Sequence, residues 1–458
     1  MLSLDPNKVK FLNQESVKLL NLVEEVSSKK GQGSSEHQTE NSLDSKIEVI
    51  VPTIVTPIGP LMEYTEDTIT NTITSAFELN GERKYGLGKD SIRGVYKMVE
   101  NILKENSFKK YVSKSFLVKK TLQWIFSAYQ KKQIDEEYSN FILSESTQEL
   151  KDHKILFFVD KIEISGIYHL GKSTLFYMNK AYIDKLEIQY KSEKRDEIQS
   201  DPSYFATIRK LYQGKVFVST IVRAEREKAV ENALKECSIS IDILKICSPT
   251  LNFPEYPILF DIDKNAKRSY NHEFLQQDIV KPYSFNITGQ RDQRFYTLNP
   301  DTWQNSLLNQ IEIFHNFLIQ RGSNEISSLI EISITRFADA LSKENLHQRI
   351  IEIFTVLESL LLKDETSSII ESVTKYCSKL VTKHMDERTE IIELLKKMYK
   401  VRSSLIHHGL NKDFDIEDLK KIQIVVIILL TVLIAKSTEH SSKQSILQEI
   451  DDAIMNAY

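Results

Sequence analysis

Three side chains near the C-terminal end are of types and spacing that could do chemistry together. Arg402, His407 and His408 all lie within Tyr399-Lys400-Val401-Arg402-Ser403-Ser404-Leu405-Ile406-His407-His408-Gly409. Histidine exchanges a proton near neutral pH. Arginine stays charged and forks onto a carboxylate or phosphate in bidentate fashion. Arg402 also sits where an apolar residue is expected, in the gap of the line Ile391, Leu394/Leu395, Met398, Leu405. A charge on a core-facing line is costly unless it is paired. A second inward charge answers it: Glu358 falls on the apolar line Ile350/Ile351, Phe354, Leu357, Leu361 of another helix. The spacing therefore predicts that Glu358 orients Arg402. Gly409 is a stop signal just past the histidines.

Helical geometry adds a condition. Five residues advance about 500°, so His407 points ~140° away from Arg402, and His408 about 120° to the other side. The groups converge only if the helix unwinds before Gly409, or if a histidine meets an arginine from another protomer. A plain structural reading of the two histidines is positive charge at a helix C-terminus.

Arg-x4-His inside Tyr-x-x-Arg-Ser-x-Leu-Ile-His resembles the signature of the HEPN superfamily of nucleotide-binding helical bundles, and its wording is similar to the Apea-like branch. The resemblance covers about Asn299 to Lys436. It implies a metal-independent RNase without cofactors, dimeric through the C-terminal bundle, with Arg402 and His407 as catalytic residues. His408 and Ser403 are further candidates for catalysis or phosphate contact; many nucleases of the superfamily have a polar amide or acid where Ser403 stands. By family association, a bacterial antiviral or abortive-infection effector is implied. Its N-terminal region would then restrain the nuclease or sense a phage-derived or other trigger. The alternatives are a non-catalytic dimerisation or nucleotide-binding module and a P-loop NTPase.

The composition sets outer bounds. With 458 residues, 41% hydrophobic and 27% charged, the chain has room for two or three domains with ample cores. A net charge of -4 confines nucleic-acid contact to a local patch. Three cysteines without C-x-x-C spacing imply neither a disulfide framework nor a zinc site, as expected in the cytoplasm. No metal-ligand constellation stands out. The longest apolar run, Ile424 to Ala435, is short of the ~20 residues that span a bilayer, and it reads as a helix buried on all sides.

Four regions follow along the chain: an N-terminal helix and flexible linker (1–46), a mostly helical region (47–150), an α+β domain (151–298) and an all-α bundle (299–458). The helix is expected over Gln14–Val26 and the linker from Ser27 to Ser45. Region 47–150 opens with an extended stretch, Val49 to Val55, followed by helices over Thr65–Leu79, Asp90–Glu105, Ser115–Gln130 and Asp135–Leu150. Between Gly81 and Lys120 eleven basic residues face four acidic ones, a net +7, with five aromatics interleaved. Lys109, Lys110, Lys119 and Lys120 are the candidates there for RNA backbone contact; the structural alternative is a solvated lysine face over an aromatic core.

In the α+β region, strands are expected at Ile155–Val159, Ile162–Ile164, Leu175–Tyr177 and Val216–Val222. A helix over Glu225 to about Cys237 follows, then the apolar residues Ile239, Ile241 and Ile243/Leu244, and a further stretch of alternating apolar residues and turns to about Pro282. Gly166-Ile167-Tyr168-His169-Leu170-Gly171-Lys172-Ser173 matches the letters of a P-loop. Its middle residues are bulky, however, and Thr174 to Met178 reads as a strand, which predicts a hairpin turn at Gly171-Lys172. Beyond Pro300, helices are expected over Asp301–Arg321, Glu325–Ser342, Asn345–Leu362, Ser367–His384, Glu387–His408 and Asp415–Ala435, with short loops that favour an antiparallel bundle.

Overall fold

A computed structural model of the chain describes residues 2–25, 75–79, 83–193, 202–262, 274–278, 282–283, 296–298, 309–363 and 368–456. The expected linker, the extended stretch from Val49 to Val55 and the first residues of the helix expected from Asp301 lie outside the described residues. The fold is mixed α/β, with a central curled sheet and a C-terminal helical region. Two compact units account for it: residues 1–153 with 222–232, and residues 154–221 with 233–458.

The first unit contains α1 (Pro6–Leu20), β1 (Glu24–Glu25), β2 (Ser75–Leu79), β3 (Arg83–Leu87), α2 (Lys89–Ile102), α3 (Asn106–Tyr111), α4 (Lys114–Lys131) and α5 (Tyr138–Gln148). Helix α1 begins eight residues before the expected Gln14, because Asp5 caps it, accepting from the Asn7 amide at 2.9 Å, and Pro6 presets the first turn. Over Thr65–Leu79 a helix was the expectation, yet Ser75–Leu79 is a strand, paired antiparallel with β3 from Ser75↔Leu87 to Leu79↔Arg83. Cross-strand backbone pairing overrides local helical preference there. The unit's core is built at helical spacing: Val95, Val99 and Ile102 of α2 meet Leu117, Leu122 and Ile125 of α4 with Phe108, Tyr138 and Ile142.

The second unit is organised on a sheet of β4 (Lys151–Asp160), β6 (Tyr168–Leu170), β7 (Ser173–Tyr177), β8 (Val216–Ala224), β9 (Asp261–Ile262), β10 (Phe274–Asp278) and β11 (Pro282–Tyr283). The order is β11-β10-β4-β8-β7-β6, with β9 also on β4. Beside it, β5 (Ile162–Ile164) pairs parallel with β12 (Tyr296–Leu298). Ile155, Leu156 and Phe157 are consecutive and all buried, so this stretch of β4 is covered on both faces. Two helices the sequence reading leaves out, α6 (Lys180–Glu193) and α7 (Pro202–Tyr212), supply Ile183, Leu186, Phe205 and Ile208 to a cluster with Leu156 and Phe217.

Gly171-Lys172 is a two-residue turn between β6 and β7, with Leu170 opposite Ser173 and Gly171 at φ +58°. A strand follows it, not a helix. The phosphate-facing helix N-terminus that a P-loop needs is absent from this segment.

The helix expected to end at about Cys237 runs nine residues further, so that Ile239, Ile241 and Ile243/Leu244 belong to α8 (Arg226–Ile246). Every residue from Ile239 to Cys247 is buried. A helix end covered all round shows no amphipathic period, and its alternating isoleucines then mimic a strand.

The remaining helices are α9 (Asn309–Gln320), α10 (Glu325–Leu341), α11 (Leu346–Leu361), α12 (Ile369–Val381), α13 (Met385–His408), α14 (Ile416–Lys436) and α15 (Lys443–Met455). Helix α14 touches each of α9 to α13 and buries Leu419, Ile422, Val426, Ile427, Leu429, Leu430 and Leu433. The sequence reading has no helix at α15. It is fastened by Asp451, which takes the Tyr376 hydroxyl at 3.0 Å, Lys363 at 2.9 Å and Lys375 at 2.6 Å. Burial alone would raise the Asp451 carboxyl, but these three donors outweigh it and hold it at about 2. Among the described residues, no helix is long and apolar enough to cross a membrane.

Candidate active site

The site starts from two helices that bury one face each. On α11, Ile350, Phe354, Leu357 and Leu361 are fully buried, and Glu358 stands beside them with its side chain 17% exposed. On α13, Leu395, Met398 and Val401 are buried, and the Arg402 side chain is 13% exposed. The helices pack directly, through Phe354 edge-on to Tyr399 at 5.5 Å between ring centroids. The Arg402 guanidinium lies 5.5 Å over the Tyr399 ring. That packing delivers Arg402 to Glu358. Its NH2 group is 3.0 Å from Oε1 and donates to Oε2 at 3.3 Å.

The pair is incompletely satisfied. Glu358 Oε1 and Arg402 Nε are both buried and have no well-aligned hydrogen-bond partner among the described residues. Burial raises the Glu358 carboxyl above its usual range, and the Arg402 charge opposes that only in part. The pair is therefore a preset cation whose partner carboxylate is held under desolvation stress.

Helix α13 runs unbroken through His408 and ends on Gly409 at φ +64°, whose amide donates to Leu405 O at 3.0 Å, while the Leu410 amide donates to Ser404 O at 3.3 Å. Unwinding before Gly409 is thus not the route that brings Arg402 and His407 together. The angular separation of ~140° on a regular helix applies. His407 and His408 are exposed, with ring centroids 6.5 Å apart, and Ser403 is half-buried one residue after Arg402. Ile406 and Leu410, flanking the histidines, are exposed as well.

The lysine candidates fall in the first unit. Lys120 is ion-paired with Glu145, and Lys110 sits 5.1 Å over the Tyr111 ring. Lys109 and Lys119 are exposed. Of the interleaved aromatics, Phe108 is buried, and Tyr85, Tyr111 and Phe116 pack on the same core; only Tyr96 is substantially exposed, with Lys114 5.3 Å over its ring. Most of these rings are engaged in the core.

Sequence reasoning missed several buried charges, among them two cations, Arg349 and Lys245. Arg349 of α11 is 1% exposed; it donates to the carbonyls of Pro254 and Lys343, and burial drives it down to about 10. It sits one residue before the apolar line begins, which hides it from a periodicity argument. Lys245 of α8 is equally buried, 2.9 Å from Asp261 and 3.4 Å from Asp242. Among the described residues no group of three or more His, Cys, Asp or Glu is arranged to hold a metal ion.

Compared with protein-family models, with curated proteins and with solved structures, the chain matches none of them.

Proposed function

We propose that the C-terminal helices form a HEPN-like endoribonuclease that cleaves RNA without metal and acts as a homodimer. The observation that carries this reading is the largely buried Arg402–Glu358 pair, whose arginine is set one and a half turns before two exposed histidines on its own helix. An arginine held at fixed orientation suits a charge that develops on phosphorus, where preorganised donors act most strongly. In the reaction, His407 removes the proton from a ribose 2′-hydroxyl, and the 2′-oxygen attacks the adjacent phosphorus. The bond from phosphorus to the 5′-oxygen breaks, leaving a 2′,3′-cyclic phosphate. A second histidine gives the departing 5′-oxygen its proton. Arg402 neutralises the pentacoordinate phosphorane. Because α13 stays helical to His408, the reading requires that each cleft combine Arg402 of one protomer with His407 of the other.

Two alternatives weigh differently. A bundle that only binds nucleotide or a second protomer uses the same surface. A P-loop NTPase has little support, since Lys172 ends a hairpin turn. The nuclease would serve as a bacterial antiviral or abortive-infection effector, restrained until a trigger acts on the rest of the chain.

The test is incubation of the full chain with total tRNA and single-stranded RNA in EDTA, beside Arg402→Ala and His407→Ala. Metal-independent cleavage that leaves cyclic-phosphate ends and is lost in both variants supports the reading. Cleavage that persists in both refutes the site. If the wild type is silent in the tube, expression toxicity lost in Arg402→Ala supports the reading, and a harmless wild type favours the binding module.

A further inference from the structure

The P-loop look-alike leaves Gly166, Ile167 and Lys172 unused by the nuclease reading, and all three line an open cleft of about 900 Å3 on the sheet of the second unit. Lys154 of β4 and Lys185 of α6 line it too, and none of the described lining residues is acidic. Among the described residues these three lysines make no ion pair. The Lys154 ammonium is half-buried, and its nearest described compensation is aromatic: the Tyr182 ring at 5.2 Å and the Phe176 ring at 5.8 Å. Burial lowers its affinity for a proton, as expected for a cation short of a counter-ion. The Tyr182 hydroxyl is buried with no hydrogen-bond partner among the described residues. The cleft also carries two large exposed aliphatics, Ile167 at 66% and Ile221 at 58%. A half-buried Lys154 without a counter-ion, flanked by the exposed Lys172 and Lys185 and by exposed apolar side chains, suits a ligand that is anionic at one end and apolar at the other.

We infer that this cleft binds a nucleotide, its phosphates on Lys154, Lys172 and Lys185 and its base against Ile167, Ile221 and the aromatic wall. The volume lies in the range of small-ligand pockets, ~300–1,000 Å3. Three lysines offset most or all of the charge of a di- or triphosphate, bound here by side-chain ammonium groups and not by a P-loop backbone. The inference is independent of the nuclease reading, since it uses a different part of the unit.

Calorimetric titration of the full chain with ATP, GTP, CTP and UTP tests it, with adenosine and inorganic tripolyphosphate as half-ligands. At least one triphosphate is expected to bind with Kd below about 1 mM. Lys154→Met, Lys172→Gln and Lys185→Gln each raise that Kd about tenfold or more, whereas Lys235→Gln, outside the cleft, leaves it unchanged. Thermal melting without ligand verifies that each variant is folded. The half-ligands bind at least about tenfold more weakly than the whole nucleotide. No binding of any triphosphate up to about 5 mM overturns the inference. So does tripolyphosphate binding as tightly as a nucleotide, or a Kd indifferent to all three cleft lysines.

Discussion

Breaking the Arg402–Glu358 pair tests whether the two inward charges hold each other, which every later use of Arg402 presupposes. At 3.0 Å, the gross attraction is about 5.5 kcal/mol at an effective dielectric of 20, and the desolvation of both groups offsets much of it. Removing one partner strands a largely buried charge. For fully buried pairs that costs about 3–5 kcal/mol; with 17% and 13% of the side chains still exposed, about 2–3 kcal/mol is expected for Arg402→Met and for Glu358→Gln. The double variant strands nothing and should cost no more than one single substitution, giving a coupling of at least about 2 kcal/mol.

The sign with pH is fixed as well. Burial already raises Glu358, so its ionised form costs stability above its folded pKa, and that cost disappears as the carboxyl protonates below it. Losing Arg402 removes the charge that lowers it, so Arg402→Met should be more damaging at pH 8 than at pH 5. Urea unfolding of the four proteins at both pH values, with a shared m-value, measures this. A coupling below about 0.5 kcal/mol, or an Arg402→Met cost that is the same at both pH values, would refute the reasoning.

Two further outcomes are expected. Burial chiefly pushes Asp242 up to about 6, and Lys245 only partly opposes it. Its ionisation therefore destabilises the fold as pH rises from about 4 through 6, and Asp242→Asn should remove up to about 3 kcal/mol of that pH dependence, read from urea midpoints at pH 4 and pH 8. Two glycines of similar φ should separate backbone strain from packing. Gly409→Ala meets nothing within 4 Å and should cost about 1 kcal/mol, whereas Gly171→Ala puts a Cβ 2.6 Å from Leu318 Cβ and should cost at least about 1 kcal/mol more. Equal melting-temperature losses would mean the β6–β7 turn does not pack on α9 as described.

Much of the C-terminal region was legible because α10 to α14 each bury one stripe or carry a clear stop. The Gly409 ending of α13 and the Asp415 cap of α14, which accepts from the Glu417 amide at 3.0 Å, are local devices that a sequence displays directly. The inward positions of Glu358 and Arg402 were equally visible, as interruptions of two apolar lines. Other segments resisted for physical reasons. The end of α8 is buried all round and has lost its period. Ser75–Leu79 takes its form from backbone partners on β3. Helix α15 depends on Asp451 meeting Tyr376, Lys363 and Lys375 from elsewhere in the chain.

The sequence by itself determined which helices exist around the candidate site, that Gly171-Lys172 is a turn, and that two opposite charges face inward. These follow from side-chain period, capping and turn chemistry, all local along the chain. Only the tertiary structure decided that α11 and α13 are neighbours, so that Glu358 and Arg402 meet. It also decided that α13 stays helical to His408, leaving both histidines on the surface, and that Lys154, Lys172 and Lys185 share one cleft. Those facts depend on long-range packing, in which residues far apart in sequence become each other's solvent.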